Sequence, residues 1–450
     1  MKPIETLCTW TVLAGLAAAA PLSAESGPRY AVEDCVRIGL ENSAVMARAR
    51  QDSAIAEAEQ QQARSEVLPS LELDAGYTRQ DELTEVDFGG ETVAFGFLDT
   101  YRASAEVSQS LYSGGRSWAA IRAARARRQL ARSGLDEART GLVRDIRTSF
   151  ADLLLAQAAV DVRRESLAVL SAFLDQTRKK RQQGTASEFD ALSAEVRVLN
   201  ERPALIAASN RVATAMARFR RLLNVEHPFA LEGELERADA AGTLAGFERA
   251  ALRRRSVLRE YEALVELRRR DLQAARSGTR PELRAFFGYR GANTYGFSDA
   301  DAEWEWHWDA GATLNWPLWD GGLTAGRVAQ KRAELARSRI ELEDVTRGVL
   351  LEVQQAFLDL QSAEEAITAA EGGVALADKA LEIARTRYDS GLATALEFTD
   401  ANLARSRARL TMLEALRGQV NAVTRLACAC GLPERSLAEI IDRNAKKEQP

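Results

Sequence analysis

Histidine is almost absent from this 450-residue chain, which also contains only four cysteines and ten prolines. His227 and His307 stand far apart in sequence, and no phosphate-binding loop or nucleophile motif accompanies them. Cys428 and Cys430 are two residues apart, a spacing at which two side chains of a helix do not face the same ligand. We therefore expect no metal, no cofactor and no enzymatic activity, although a hidden pair of catalytic carboxylates stays open.

Long apolar runs are equally scarce. After Lys2, one apolar run extends from residue 7 to residue 20, and small residues follow up to Ala24, which is the layout of a secretory signal peptide. The run is shorter than the roughly 18 to 20 residues that a transmembrane helix needs, so export with cleavage is favoured over a membrane anchor. We therefore assign residues 1–24 to a signal peptide.

Positive charge is not in excess, since the formal net charge is −5 and the pI is about 5.6. This balance argues against nucleic acid as a partner. We interpret the arginine clusters at 253–255 and 268–270 as solvated helix faces. Export would place the cysteines in an oxidising compartment, where a disulfide between Cys35 and either Cys428 or Cys430 stays open.

The sequence contains a long internal duplication. Leu-Tyr-Ser-Gly-Gly at 111–115 returns as Leu-Trp-Asp-Gly-Gly at 318–322, so that Gly321 matches Gly114 at an offset of 321 − 114 = 207. Upstream, Tyr77 matches Tyr289 at an offset of 289 − 77 = 212, so one length difference of five residues lies in between. We therefore expect a first repeat at 25–232, a second repeat at 233–433 and a polar tail at 434–450.

Six segments rich in Ala, Leu, Arg and Glu predict helices. They are 31–66, 117–180, 188–223, 244–276, 325–387 and 396–429. Between Leu342 and Leu360 the apolar residues step by 3, 4, 4, 3 and 4, and 135–153 repeats this spacing. Such a narrow seam predicts coiled-coil-like packing. Because 117–180 alone would extend roughly 95 Å, we expect an elongated protein.

Four segments alternate between apolar and polar residues, starting near Leu71, Tyr101, Leu283 and Trp304. Alternation predicts strands with one apolar face, which borders either lipid or a soluble core. Tryptophans bracket the fourth strand at both ends, as an interfacial aromatic girdle does, and this favours a membrane barrel over a soluble sheet. The girdle residues are Trp304, Trp306, Trp308, Trp316 and Trp319.

Four strands cannot close a membrane barrel, because an open edge would leave unpaired backbone groups in lipid. Single-chain barrels begin near eight strands, so several chains must share one barrel. Together with export and very long helices, this predicts an oligomeric tube that crosses the outer membrane and extends into the periplasm. The rival interpretation is a periplasmic coiled-coil adaptor or scaffold with a soluble sheet.

The passage from the fourth strand into the next long helix carries a specific motif. Residues 317–322 read Pro-Leu-Trp-Asp-Gly-Gly and resemble the Pro-Leu-Phe-Asp-Gly-Gly signature of the TolC-like outer-membrane efflux proteins, with a weaker copy at 111–115. Asp320 or Ser113 can cap the helix, and the glycine pair permits the turn. The predicted strand-helix junction consists of Gly114, Gly115, Asp320, Gly321 and Gly322.

This resemblance implies a mainly α protein with membrane β-structure, in which long helices form a periplasmic tunnel. Three chains would each contribute four strands to a twelve-strand barrel that is embedded in outer-membrane lipid. The implied function is the passive exit duct of a tripartite efflux or type I secretion system. The implied partners of this homotrimer are a periplasmic adaptor protein and an inner-membrane pump.

A second family element is a turn followed by an acidic helix start, found at 388–400 and more weakly at 184–190. By resemblance, the turns at Gly184 and Gly391 form the periplasmic tip, and Glu397 and Asp400 line the pore constriction. Tyr388 and Asp190 would form a hydrogen-bonded pair that holds the tip closed, and Ala393 stands where some members carry Arg. From the residues alone, acidic side chains in the first turn of a helix also stabilise its positive dipole end.

Overall fold

The computed structural model of the chain describes residues 28–95, 97–238, 242–293 and 304–432. The predicted signal peptide at 1–24 and the tail at 434–450 lie outside these residues. The strands are β1 (Arg29–Tyr30), β2 (Ser70–Arg79), β3 (Thr84–Phe88), β4 (Glu91–Phe95), β5 (Asp99–Ser113), β6 (Ala230–Leu231), β7 (Glu282–Ala292) and β8 (Glu305–Asn315). The α-helices are α1 (Val32–Asn42), α2 (Ala44–Ser65), α3 (Arg116–Gln182), α4 (Glu188–Leu223), α5 (Leu244–Arg254), α6 (Ser256–Ala275), α7 (Leu323–Asp389) and α8 (Ala395–Ala429).

The duplication holds element by element. Helices α3 and α7 each contain 67 residues, and their first residues are 323 − 116 = 207 apart. Helices α4 and α8 begin at the same offset, whereas the starts of α1 and α5 differ by 244 − 32 = 212 and those of α2 and α6 by 256 − 44 = 212. At 1.5 Å per residue, α3 and α7 each extend about 100 Å. No helix within the described ranges is apolar enough over a sufficient length to span a membrane.

Two of the six predicted helices are interrupted, and the interruption falls at the same position of each repeat. Ser43 separates α1 from α2 and Arg255 separates α5 from α6, with 255 − 43 = 212, and both residues have an extended backbone. The Ser43 hydroxyl accepts a hydrogen bond from the backbone N–H of Val45 and thereby caps α2. The predictions of single helices at 31–66 and 244–276 were therefore wrong, because the Ala-rich composition does not reveal the break.

The main sheet has four antiparallel strands in the order β2-β5-β7-β8. Each repeat supplies one pair of neighbouring strands, and the pairing of β5 with β7 joins the two repeats. The short strands β1 and β6 form a separate parallel pair. The hairpin of β3 and β4, which alternation did not predict, lies in the longer strand connection of the first repeat.

Each repeat has its own helical core, and equivalent residues occupy the two. Ile146, Leu153, Phe219 and Leu223 are buried in the first core, and Val353, Leu360, Leu426 and Cys430 are buried in the second. Each member of the second set stands at the repeat offset from its counterpart, as in 353 − 146 = 207. The predicted coiled-coil seam therefore forms in both α3 and α7.

The three described cysteines are free and buried. Cys35 lies in the first core, whereas Cys430 lies in the second core. The disulfide that the sequence left open is therefore not formed. Burial raises the pKa of the Cys35 and Cys430 thiols to about 12 and that of Cys428 to about 11, so these thiols stay protonated and unreactive.

Arg255 is buried, which corrects the interpretation of its cluster as a solvated face. Its guanidinium donates to the carbonyl of Cys428 at 2.6 Å and lies 3.2 Å from Glu352 and 3.5 Å from Glu137. This side chain therefore joins α7, α3 and the end of α8 at the break between α5 and α6. In the second cluster Arg269 is exposed and pairs with Glu266 on its own helix, as predicted, whereas Arg268 is only partly exposed and also pairs with Glu334 of α7.

Candidate functional site

The apolar residues of the four main strands lie in shared rows across the sheet. In one row Leu73 pairs with Ala105, Ala105 with Tyr289, and Tyr289 with Trp308. The next row consists of Leu71, Val107, Phe287 and Ala310. The large side chains of these rows are exposed in the single chain. A continuous apolar face of this kind needs a non-aqueous neighbour.

The predicted girdle tryptophans lie on this apolar face and beyond the two ends of β8. Trp304 stacks on Trp306 with ring centroids 5.6 Å apart, and Trp306 stacks on Tyr289 at 5.2 Å. Past the other end of the strand, the indole N–H of Trp316 donates to the carbonyl of Thr279. Trp319 is 88% exposed. Aromatic rings at both ends of a strand are typical of the two membrane-water interfaces.

The opposite face of the sheet is polar and contains an ion-pair network. The guanidinium of Arg290 lies 3.2 Å from Glu106 and 3.3 Å from Asp309, which stand on the two neighbouring strands. Phe286 is the apolar exception on this face, and it packs over Gly311, where a Cβ atom would come within 2.8 Å of the ring. The sheet therefore has the two-sided chemistry of a barrel wall with a hydrated interior.

The two strand-helix junctions have the same backbone geometry. Gly114 and Gly321 both have φ of +64°, and Gly115 and Gly322 both have φ of +91°. These values lie in the left-handed region, which glycine adopts at no steric cost. The glycine pair therefore turns the chain from strand to helix in the same way in both repeats.

A side chain caps each long helix from the same repeat position. Asp320 Oδ2 accepts from the backbone N–H of Thr324 at 2.8 Å, and Ser113 Oγ accepts from the backbone N–H of Ser117 at 3.1 Å. Hydrogen bonds from the hydroxyl and the backbone N–H of Thr324 lower the pKa of Asp320. Both capping residues that the sequence suggested are thus placed at the helix starts.

The two turns at the far end of the helices are also equivalent. Gly184 and Gly391 have φ of +75° and +74°. In each turn the N–H after the glycine donates to the carbonyl five residues earlier, over 2.9 Å in the first repeat and 2.8 Å in the second. This pattern closes the C-terminus of a helix. The predicted tip turns therefore end the long helices α3 and α7.

Directly behind these turns lies a cluster of three aromatic residues and a lysine, which we call the tip cluster. Its members are Phe173, Lys180, Tyr388 and Phe398. Phe173 of α3 stacks on Phe398 of α8 at 4.1 Å and contacts the ring of Tyr388 at 4.7 Å. Lys180 lies over the Tyr388 ring and donates to the Tyr388 carbonyl at 3.1 Å. Burial raises the pKa of Tyr388, so its hydroxyl is protonated at physiological pH. The tip cluster thus joins the first repeat to the second.

The hydrogen bond of Tyr388 differs from the predicted one. Its hydroxyl lies 3.0 Å from Thr177 Oγ1, in a buried contact. The Asp190 carboxylate instead binds Ser187, whose backbone N–H and hydroxyl donate to it at 3.2 Å and 2.6 Å. Asp190 therefore completes a capping box at the start of α4, and within this chain Thr177 takes the place expected for Asp190.

Glu397 and Asp400 stand on the exposed side of the first turns of α8, and each has an arginine nearby. The Glu397 carboxylate lies 3.9 Å from Arg387 across the tip turn. Asp400 accepts a hydrogen bond of 3.0 Å from Arg197 of α4. The carboxylates remain about half exposed, so the arginines offset part of their charge without covering them.

The sequence did not point to Phe173, Thr177, Arg197 or Phe398. The four-residue spacing of Phe173 and Thr177 indicates that they share a helix face. No local pattern connects that face to Tyr388, which stands in the other repeat. Lys180 and Arg387 share one repeat position, with 387 − 180 = 207, so the sequence predicts a cation before each tip turn but not the contact of Lys180 with Tyr388.

Comparison with known proteins agrees with this geometry. The model of a family described as outer membrane efflux protein matches residues 37–225 and 249–432. Outer membrane protein TolC of Vibrio cholerae is 24% identical over 391 residues, which cover 85% of this chain and 86% of that protein.

Solved structures give the same fold. A structure of CusC superposes with a TM-score of 0.77 at 18% identity, over 89% of this chain and 92% of that chain. The CmeC outer membrane channel of Campylobacter jejuni gives a TM-score of 0.75 at 15% identity, over 93% of this chain and 89% of that chain.

Proposed function

The chain belongs to the outer membrane efflux protein family, and we propose that it works as a passive exit duct that is gated at its helical tip. It is an outer-membrane channel component of an efflux system, and its relatives are channel proteins. The apolar rows across the four main strands are the observation that supports insertion of the sheet in the outer membrane. The rival interpretation as a periplasmic scaffold with a soluble sheet is not favoured, because that face is uncovered.

We propose that three chains form the channel. Among the described residues, β2 and β8 each have one strand partner, so both edges of the main sheet are open to neighbouring chains. Three sheets of four strands would close a twelve-strand barrel without an edge in lipid.

The helices support the same arrangement, because α4 and α7 carry exposed apolar stripes at helical spacing. These are Phe189, Leu192, Val196, Leu199 and Ile206 on α4, and Leu351, Leu358, Leu376 and Ile383 on α7.

We place the gate at the tip cluster. At the tip, Tyr388, Phe173 and Lys180 join the hairpin of α3 and α4 to the hairpin of α7 and α8. Opening would separate these hairpins. A periplasmic adaptor and an inner-membrane pump are the partners that would apply the necessary force.

We assign the pore constriction to Glu397 and Asp400, repeated in three chains. A close ring of carboxylates favours cations over anions. Arg387 and Arg197 lie beside these carboxylates, so the ring would carry less net negative charge than six acidic side chains suggest. Replacing Arg197 should therefore increase the cation preference.

Single-channel recording in planar bilayers tests this assignment. For Glu397→Gln combined with Asp400→Asn we expect the preference for K⁺ over Cl⁻ to be lost, whereas Arg197→Gln should strengthen it. The matched control is Glu365→Gln combined with Glu371→Gln, which removes the same charge from exposed positions of α7 away from the tip. Selectivity that responds equally to both double variants would contradict the assignment to the tip.

A further inference from the structure

The part of α3 nearest the main sheet contains basic residues and no acidic ones. Helix α3 begins at Arg116, and its first acidic residue is Asp136, which stands about five and a half helical turns further on. Before that residue the helix contains the arginines at 116, 122, 125, 127, 128 and 132. The second long helix is similar, since its first acidic residue is Glu334.

Four arginines near the two junctions have no counter-charge, and one of them, Arg327, stands two residues from the repeat position of Trp118 and so lies on another side of its helix. Arg116, Arg128 and Arg132 each lie within 4 Å of a glutamate. Arg122, Arg125 and Arg332 are exposed, and none of them has an acidic partner within 4 Å in the part of the chain that the structure describes. Arg125 and Arg332 occupy the same repeat position, because 332 − 125 = 207. Both repeats therefore have an unpaired arginine at the same distance from the sheet.

The position of Trp118 indicates which environment these arginines face. Trp118, Arg122 and Arg125 are spaced by four and three residues, so they lie on one stripe of α3. Trp118 is 62% exposed, although it follows the junction of a membrane strand by only a few residues. An indole at this point is typical of the boundary between hydrocarbon and headgroups. The arginines on the same stripe then face the membrane side.

The distances along the helix fit a lipid headgroup layer. At 1.5 Å per residue, Arg122 lies about 6 Å and Arg125 about 10 Å beyond Trp118. The headgroup region adds roughly 5 to 8 Å on each side of the hydrocarbon, and long arginine side chains extend towards it. The electrostatic attraction of an anionic surface persists over about 8 to 10 Å at physiological salt. All three arginines thus lie within the reach of lipid phosphates.

We propose that Arg122, Arg125 and Arg332 form a basic belt that binds anionic phospholipid headgroups of the periplasmic leaflet. The belt rests on the proposed assembly, in which three chains would supply nine such arginines beneath one barrel. Trp118 and the exposed Trp319 would mark the hydrocarbon boundary, and the arginines would hold the phosphates directly below it. This belt would fix the depth and tilt of the channel in the membrane.

Lipid retention by the purified full-length protein tests the belt. The protein is exchanged into mixed micelles with equal amounts of phosphatidylglycerol and phosphatidylcholine, and native mass spectrometry counts each bound lipid. For Arg122→Gln combined with Arg125→Gln and Arg332→Gln, we expect the ratio of phosphatidylglycerol to phosphatidylcholine to fall at least about fivefold, the factor for one such charge. The wild-type ratio should also decrease as salt is raised from about 0.1 to about 0.5 M.

The control removes three exposed arginines of the distal helices that also lack an acidic partner within the described ranges, Arg202→Gln, Arg211→Gln and Arg407→Gln. It should leave the lipid ratio unchanged, and inorganic phosphate at millimolar concentration should not displace the lipid. The triple Arg→Lys variant of the belt should retain most of the preference, which separates charge from folding. An unchanged ratio in the belt variant, or an equal loss in the control, would overturn the belt. Conductance that persists in the belt variant would show that the channel assignment stands independently.

Discussion

A hydrogen bond between the hydroxyl groups of Tyr388 and Thr177 links the two repeats at the end farthest from the sheet. The two oxygen atoms are 3.0 Å apart. When Thr177 donates its only hydroxyl proton to the carbonyl of Phe173 at 2.9 Å, the proton between the two hydroxyls comes from Tyr388. In this arrangement the phenol of Tyr388 donates and the hydroxyl of Thr177 accepts.

Loss of this bond should favour the open tip. Tyr388→Phe keeps the ring on Phe173 but removes the donor, which costs about 1 kcal/mol for a buried hydrogen bond. We expect the open fraction in single-channel recordings to rise about fivefold. Thr177→Val should act similarly, and the double variant should add little because both changes remove the same bond.

Thr368→Val provides the control, because Thr368 is an exposed residue of α7 whose hydroxyl bonds to its own helix. Its open fraction should equal that of the wild type. If Tyr388→Phe leaves the channel as closed as before, the hydroxyl pair is not part of the gate.

The two junction caps should differ in their response to acid. The pKa of Asp320 is lowered below its ordinary value near 3.8 by its bonds from Thr324, so its ionised form stabilises the folded state above that value. This contribution is lost as pH falls through the lowered pKa. Thermal denaturation between pH 6 and pH 2.5 should therefore show a smaller acid-induced loss in Asp320→Asn than in the wild type.

Ser113→Ala is the matched variant, because Ser113 caps the equivalent helix without a titratable group. It should lower the melting temperature by a similar amount at every pH. An acid-dependent difference between Ser113→Ala and the wild type would contradict this explanation of the caps.

Arg255 should be more important for stability than its exposed neighbour. Arg255→Leu removes charged hydrogen bonds to the Cys428 carbonyl and to Glu352, each worth about 1.5 to 3 kcal/mol. Because Glu137 and Glu352 are one third to one half exposed, water compensates part of the loss. We expect the free energy of unfolding, measured in urea, to fall by about 2 to 3 kcal/mol. Arg253→Leu, at an exposed position of the same cluster, should change the free energy of unfolding by less than about 0.5 kcal/mol.

Features that repeat or alternate along the chain could be predicted from the sequence. Composition located the starts of α7 and α8 to within two residues, although it missed the start of α6, and alternation from Trp304 onwards located β8 and its apolar face. Contacts between distant parts of the chain could not be predicted. Thr177 resembles any other threonine that bonds to its own helix, and only folding brings it to Tyr388. Arg255 resembles its exposed neighbours in sequence, yet the break in the helix turns it inward.

The equal lengths of α3 and α7 restrict how this chain can change. An extra residue inserted in α3 alone would advance its tip by about 1.5 Å and rotate every later side chain by about 100°, so Thr177 would turn away from Tyr388. The strand connections carry no such penalty, and the five-residue difference between the repeats lies there. Any insertion or deletion in one of these long helices must therefore be matched by an equal one in the other.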